Sequence, residues 1–305
     1  MDKKYTKQMK LSLVLLILFA LLFLTGTFCD KAVAETLFLP DSTIVKFITS
    51  TGVYPLYSGQ VLFLGALFER ITHLQKNICL KTALCIGGAS LAAYIGYIGA
   101  SSLMSSNNLG SIYPSLVGNV PAIVLAAILL EYPLFFIGYF SAGKTDDKLL
   151  AQRIVWLIIV IMTAYIAMQM LKEHFARPRY RTVVLGYRGV PFVPWYTPFT
   201  DAKKCAFMYN INADEFHSFP SGHSIFSMLT ICILPSLSWL FPKLKDKQIY
   251  LFISGAVFSA VIITTRIVLG AHYLSDVSAG AIIAILPTLA FFKVQSRISS
   301  ENRQK

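Results

Sequence analysis

Long apolar runs separated by short polar segments dominate the chain. A helix needs about 20 mostly apolar residues to cross a bilayer, so each run predicts one membrane-spanning helix. The run 53–70 contains several polar residues and ends in Glu69-Arg70, which leaves a re-entrant or interfacial helix as the alternative there. The pattern predicts an all-α fold, a polytopic membrane bundle of about eight transmembrane helices. The eight runs are 11–29, 53–70, 80–103, 115–141, 150–171, 223–241, 248–266 and 276–293.

The Lys and Arg residues between these runs predict the orientation. Cytoplasmic loops of membrane proteins are enriched in Lys and Arg. If the N-terminus is cytoplasmic, 17 of the 27 Lys and Arg residues fall on the inner side, and the outer loop 104–114 has none. We therefore expect a multi-pass protein of the plasma (cytoplasmic) membrane with both termini cytoplasmic. A cleaved signal peptide is the alternative for the first run, because Ala32-Val33-Ala34 resembles a cleavage site.

Composition agrees with a membrane protein. Of 305 residues, 55% are hydrophobic and 14% are charged, which excludes a soluble globular domain and a disordered chain. The net charge of +12 is spread over many segments, so we expect no nucleic-acid partner. Five cysteines are too few for a disulfide scaffold, although Cys29 and Cys205 would both lie outside and pair if the loop before span six folded over span one.

That loop, residues 173–222, is much longer than most connections between helices. It is rich in aromatic residues and prolines, which suit a cap lying at the level of the lipid headgroups. Long ordered loops are usually functional, but a packed cap without substrate contacts is the alternative.

Three polar clusters fall where predicted spans meet the outer surface. Fixed cations in two of them suit a dianion such as phosphate, and Ser221-Gly222 precedes a helix whose first amides can bind an anion. Two histidines suit a two-step phosphoryl transfer, one as nucleophile and one as general acid. Asp276 follows His272 by four residues, so one helical face would bring the carboxylate to the imidazole. The clusters are Lys172, Arg177 and Arg179; Pro220, Ser221, Gly222 and His223; and Arg266, His272 and Asp276.

Other interpretations of these polar residues stay open. His223, His272 and Asp276 are also the residue types of a metal triad, but adjacent cations would repel a metal ion, so we expect no metal. Arg177, together with Arg181 and Arg188, would attract headgroups in general, and His174 and His217 would anchor the chain at the interface. Glu131, inside the fourth run, is either a functional acid or a protonated residue near the inner boundary.

At these residues the chain resembles the type-2 phosphatidic acid phosphatase superfamily. The signature of that superfamily has three parts: Lys-x6-Arg-Pro, Pro-Ser-Gly-His and Ser-Arg-x5-His-x3-Asp. Tyr180 and Thr265 stand where the signature has Pro and Ser. The residues that match are Lys172 and Arg179, Pro220 to His223, and Arg266, His272 and Asp276.

The resemblance implies a role for each matching residue. His272 would be the catalytic nucleophile, Asp276 would orient it, and His223 would be the general acid. It also implies that neither a cofactor nor a metal takes part. The phosphate would be held by Lys172, Arg179, Ser221, Gly222 and Arg266.

The resemblance covers about residues 80–293, which would form a six-helix lipid-phosphatase core. Residues 1–79 would be an added N-terminal two-span hairpin, and residues 294–305 a cytoplasmic tail. We expect hydrolysis of a lipid phosphomonoester or pyrophosphate at the outer face through a phosphohistidine. Undecaprenyl pyrophosphate, phosphatidic acid and phosphatidylglycerophosphate are candidates, and no obligate protein partner is evident. The alternatives are a phosphotransferase acting on another lipid or glycan, and a non-catalytic lipid-phosphate binder.

Overall fold

The structure, a computed structural model, describes residues 3–301 and shows an α-helical bundle without strands in that range. Residues 302–305, within the predicted cytoplasmic tail, and the N-terminal residues 1–2 lie outside the described part. In chain order the helices are α1 (Lys3–Leu37), α2 (Thr43–Ser50), α3 (Tyr54–Leu74), α4 (Ile78–Leu103), α5 (Val120–Ala126), α6 (Tyr132–Ala142), α7 (Leu150–Phe175), α8 (Tyr180–Val183), α9 (Ala202–Met208), α10 (Gly222–Met228), α11 (Thr230–Ser236), α12 (Gln248–Val268) and α13 (Leu274–Glu301).

Seven helical segments within residues 3–301 are long and apolar enough to cross a membrane, which confirms a polytopic helical bundle. They correspond to seven of the eight predicted spans. Three of them combine more than one helix. A π-helical turn, Ala127–Glu131, connects α5 to α6, the short helix α8 follows α7, and α11 continues α10. The seven are Lys4–Leu37, Ile78–Leu103, Val120–Ala142, Leu150–Val183, Gly222–Trp239, Gln248–Val268 and Leu274–Ser300.

The remaining predicted span, 53–70, forms α3 but is not apolar enough to be counted among the seven. Its 21 residues are nevertheless a continuous helix that packs between α4, α6 and α7. Gly65 and Gly138 form the crossing of α3 and α6. A Cβ atom would lie 1.9 Å from the Phe135 carbonyl oxygen at Gly65, and 1.9 Å from that of Leu62 at Gly138. Contact with protein rather than lipid explains why the helix tolerates polar residues.

The two N-terminal helices pack against different parts of the bundle. Helix α1 lies along α13, where Tyr5 and Phe19 join the main hydrophobic core, whereas α3 packs with α4 and α6. The division of the chain near residue 79 stays a prediction.

Glu131 is fully buried in the π-helical turn and accepts a hydrogen bond from Ser58.

The predicted cap is folded and packed rather than extended. Its own small core contains Val190, Ala202 and Phe216. Trp195 stacks on Phe219 and donates a hydrogen bond to Thr27 of α1, so the cap docks on the first helix.

Cys29 and Cys205, which the sequence predicted on the outer side, do not form a disulfide. Both are free thiols, and that of Cys205 is buried and donates to the Gly189 carbonyl.

Candidate functional site

Six of the predicted site residues line one cavity of about 170 Å³. It lies where the C-terminal ends of α7 and α12 meet the N-terminal end of α10. The six are Lys172, Arg179, Gly222, His223, Arg266 and His272. The other lining residues are Val53, Ser102, Ser105, Asn107, Asn108, Met168, Asp214 and Phe226.

Helix ends place these side chains. Helix α7 stops at Phe175 because Ala176 takes the left-handed conformation, with φ of 43°, and this turn leads the chain back over the cavity. Helix α12 carries Arg266 in its last turn and ends at Val268. Gly270, with φ of +60°, lies in the turn that follows, and this turn leads the chain to His272.

One carboxylate, that of Asp214, lies among the cations that line the cavity. Asp214 of the cap accepts hydrogen bonds from Arg179 Nη2 and from Asn107 Nδ2, each at 2.7 Å. Burial raises the pKa of Asp214, but Arg179 and Lys172 outweigh burial and hold that pKa at about 2. Asp214 is therefore ionised at neutral pH.

Some donor capacity of the cavity is unused. The Nε–H groups of Arg179 and Arg266 are buried and have no hydrogen-bond partner within the described residues. Buried donors without partners are rare, so a binding site for an anion explains them well.

His272 is buried, with 1% of its surface exposed, and its hydrogen bonding fixes the tautomer. Its Nδ1 lies 2.6 Å from the Ser218 carbonyl oxygen, which can only accept, so Nδ1 carries the proton and Nε2 keeps its lone pair. Burial, together with Arg266 and Arg179, keeps the pKa of His272 well below its ordinary value of 6.5. The imidazole is thus neutral and able to act as a nucleophile.

The other cavity histidine, His223, contacts a residue that the sequence did not single out. Its Nε2 lies 2.8 Å from Oδ1 of Asn108. Asn108 and its neighbour Asn107 belong to the uncharged loop 104–114, which the sequence predicted on the outer side. Asn107 Oδ1 also accepts hydrogen bonds from Arg179 and Arg181. Two asparagines in a short polar loop form no recognisable sequence motif. The only indication of their contacts was that the cationic clusters were predicted on the same side of the membrane as this loop.

Two predicted site residues lie behind the cavity rather than on its wall. Asp276 Oδ2 accepts hydrogen bonds from the Ser218 hydroxyl at 2.5 Å and from the Tyr273 amide at 2.8 Å. It is 3.9 Å from His272 Nδ1, so the carboxylate supports the imidazole through Ser218 instead of bonding to it. Ser221 is fully buried and its hydroxyl accepts a hydrogen bond from the Ser224 amide, which caps α10.

The alternative metal triad is not assembled. Within residues 3–301, no three His, Cys, Asp or Glu side chains are grouped closely enough to hold a metal ion. The side chain of His223 bonds to Asn108, and Asp276 faces Ser218 and Arg177.

Arg177, which was expected at the headgroups, is fully buried. It pairs with Asp276 at 2.6 Å and with Asp30 of α1 at 2.9 Å. The prediction for Arg177 was therefore wrong, because a buried carboxylate on each side provides the compensation that solvent would otherwise give. A single Asp at the end of the first apolar run was the only signal of this contact in the sequence.

The fold and the site define a class: a polytopic helical membrane protein with a buried cationic pocket that contains two histidines. Residues 153–299 match the family model of the PAP2 superfamily. No curated protein and no solved structure matches the chain significantly. The matched segment contains every signature residue, and this match confirms the resemblance to the type-2 phosphatidic acid phosphatase superfamily. Members of this superfamily are phosphatases, so the assignment supports a phosphatase-type enzyme.

The match is shorter than the resemblance inferred from the sequence. It begins at residue 153, near the start of α7, and so leaves α4 to α6 outside it. The N-terminal boundary of the predicted six-helix core, at residue 80, therefore stays a prediction.

Proposed function

We propose that this protein is a metal-independent hydrolase of a phosphate or pyrophosphate group on a membrane lipid, and that the reaction passes through a phosphohistidine. One observation carries the proposal. His272 donates its Nδ1 proton to the Ser218 carbonyl, which leaves the Nε2 lone pair available at a cavity lined by Lys172, Arg179 and Arg266.

The proposed reaction has two steps. In the first, His272 Nε2 forms a bond to the terminal phosphorus, and the bond from that phosphorus to the leaving oxygen breaks. The leaving oxygen is the lipid alcohol oxygen of a phosphomonoester or the bridging oxygen of a pyrophosphate, and His223 Nε2 gives its proton to it. In the second, water attacks the phosphohistidine, His223 takes a proton from the water, and inorganic phosphate leaves. His223 thereby returns to its starting protonation state.

The cations supply the electrostatic part of catalysis. Lys172, Arg179 and Arg266 would hold the three phosphoryl oxygens, and the unpartnered Nε–H groups of the two arginines would become hydrogen bonded. Gly222 lies beside Lys172, since a Cβ there would come within 3.6 Å of the lysine Nζ, and its lack of a side chain lets phosphate approach the start of α10. Ser221 keeps that helix start in place by capping it.

The size of the cavity favours a lipid substrate of which only the headgroup enters. Its volume of about 170 Å³ is below that of pockets that enclose whole small molecules, which begin at about 300 Å³. Val53, Met168 and Phe226 form an apolar wall that suits the first carbons of a lipid chain.

The membrane side of the site is also part of the proposal. The distribution of Lys and Arg supports a cytoplasmic N-terminus, which would place the cavity at the outer face of the plasma membrane. Lipids presented in the outer leaflet then become the candidate substrates, namely undecaprenyl pyrophosphate, phosphatidic acid and phosphatidylglycerophosphate.

Phosphate release from these three lipids tests the proposal. Purified protein in detergent would be assayed with EDTA, beside His272→Ala. We expect release that survives EDTA and disappears in the variant. Release that EDTA abolishes would overturn the metal-free mechanism. Transfer of phosphate to an added lipid or glycan without free phosphate would identify a transferase, and binding without turnover would identify a lipid-phosphate binder.

A further inference from the structure

Asp30 of α1 lies inside the bundle, with 4% of its surface exposed, and contacts the N-terminal end of α13. Its Oδ1 accepts a hydrogen bond from the Ser275 amide at 2.8 Å. Its Oδ2 accepts from Arg177 Nη2 at 2.9 Å and from the Ser275 hydroxyl. The first amides of a helix have no partner within the helix, so a carboxylate from α1 caps α13.

A continuous series of short contacts connects Asp30 to the proposed nucleophile. Arg177 uses Nη2 for Asp30 and Nη1 for Asp276 Oδ1, the latter at 2.6 Å. The other oxygen of Asp276 accepts from the Ser218 hydroxyl at 2.5 Å, and the Ser218 carbonyl accepts from His272 Nδ1 at 2.6 Å. Every link is a hydrogen bond between buried groups.

The charges of this series explain why both carboxylates are needed. Arg177 has no exposed surface, and its guanidinium carbon lies 4.0 Å from the ring centroid of Tyr273. A buried cation of this kind depends on partners with good geometry. If Asp30 were absent, Nη2 and the Ser275 amide would both lose an acceptor. Among the described residues, Asp276 would be the one carboxylate left to the guanidinium, beside the neutral Val193 carbonyl and Ser275 hydroxyl.

Close packing holds α1 in this position. A Cβ at Gly26 would lie 2.5 Å from the Ser275 nitrogen, so the backbones of α1 and α13 touch one turn before Asp30. The family match begins at residue 153, so this contact comes from a part of the chain outside the matched segment.

We propose that Asp30 is a positioning residue for the reaction: it holds Arg177 and the start of α13 so that Asp276 and Ser218 keep His272 in its reactive orientation. This inference rests on the proposed function. It assigns α1 a role in catalysis, beyond membrane insertion.

Asp30→Asn tests the inference because it removes the charge and keeps the size. Glu35→Gln is the matched control, since Glu35 lies on the same helix, is exposed and pairs with Lys31. Lipid phosphate hydrolysis would be measured per folded molecule, with kcat and KM separated. Hydrogen exchange would be compared between the segment 271–278 and the middle of α12.

We expect kcat to fall by about tenfold to a hundredfold in Asp30→Asn, as for a slightly misplaced catalytic group, with KM nearly unchanged. Exchange should accelerate in 271–278 only, and Glu35→Gln should match the wild type in both measurements. In an Arg177→Met background, Asp30→Asn should lower kcat little further, because the residue through which it acts is already missing.

Ser275→Ala is a milder variant if Asp30→Asn does not fold. It removes one hydroxyl that contacts both Asp30 and Arg177, so kcat should fall by about three- to tenfold. An active wild type whose kcat is unchanged in these variants would overturn the inference and leave the proposed function intact. A wild type that releases no phosphate from any lipid would overturn the proposed function, and the role of Asp30 in catalysis with it.

Discussion

Asn108 Oδ1 lies 2.8 Å from His223 Nε2, although the two residues are 115 positions apart in the chain. The orientation of the amide is settled by its other end, because Asn108 Nδ2 donates to the Ser102 carbonyl at 2.7 Å and to the Ser105 hydroxyl at 3.2 Å. Its oxygen must then face the histidine, and only a protonated Nε2 can donate to it. In the proposed reaction, the loop 104–114 would thus hold His223 in the form that gives a proton to the leaving group.

Asn108→Leu should therefore impair proton donation selectively. We expect kcat for a lipid phosphate to fall by about 10- to 100-fold, because an alkoxide leaving group needs a proton. Hydrolysis of p-nitrophenyl phosphate should fall much less, since nitrophenolate leaves without one. The ratio of the two rates is the measurement. Asn119→Leu, an exposed asparagine at the start of α5, should leave that ratio unchanged. Equal losses on both substrates would refute the assignment.

Asp214→Asn should strengthen the binding of phosphate. The carboxylate occupies Arg179 and adds a negative charge to the cavity into which the substrate anion must enter. Without that charge, the inhibition constant of inorganic phosphate should decrease by about tenfold. Because the pKa of Asp214 is held at about 2, the carboxylate is ionised at about pH 5 and above, so its own titration adds nothing to the pH dependence of the difference.

The exposed cap residue Asp201 provides the control for this measurement, since Asp201→Asn removes a charge from the same cap outside the cavity. The opposite result, weaker phosphate binding in Asp214→Asn, would show that Arg179 needs its ion pair to hold the correct position.

Signature spacing and helix boundaries together indicated which charged residues would lie close to one another. Lys172, His223 and Arg266 each lie within a few residues of a helix end, and in the structure these three helix ends meet at the cavity. Local patterns predicted eight spanning helices, and seven of these are confirmed within residues 3–301. The eighth, α3, is less apolar than the others because it contacts other helices. A search for apolar runs detects helices that face lipid, so it detects such a helix only weakly.

Contacts between distant segments could not be predicted in this way. Asn108 and Asp214 reach the cavity from two separate loops, and neither loop has a periodicity that fixes its path. Asp30 follows directly after the first apolar run and was interpreted as its polar end. Its partner Arg177 is 147 positions away, so no local pattern could indicate their ion pair. The role of Asp276 was assigned from helical spacing, yet Ser218 of the cap lies between it and His272.

Arg266→Met should shift the pH dependence of the reaction. Burial lowers the pKa of His272 most, and Arg266 is the next largest cause. Loss of this cation raises the pKa, so the nucleophile becomes protonated, and inactive, at a higher pH than in the wild type. The acid limb of kcat/KM should move to higher pH in Arg266→Met and stay in place in Arg266→Lys. The ionisation of the substrate is common to all three proteins, so the difference reports on His272. Identical limbs in all three would contradict the proposed nucleophile.

Gly65→Ala should destabilise the bundle at the crossing of α3 and α6. The new Cβ would lie 1.9 Å from the Phe135 backbone oxygen, which cannot move without shifting the whole helix. Gly87→Ala on α4 is the matched control, since a methyl group there would have no atom within 4 Å and alanine favours a helix by about 1 kcal/mol. The midpoint of thermal unfolding in detergent should fall clearly in Gly65→Ala and stay level or rise in Gly87→Ala. If both variants unfold at the wild-type temperature, α3 does not cross α6 at Gly65, and the place of this polar helix in the bundle would have to be revised.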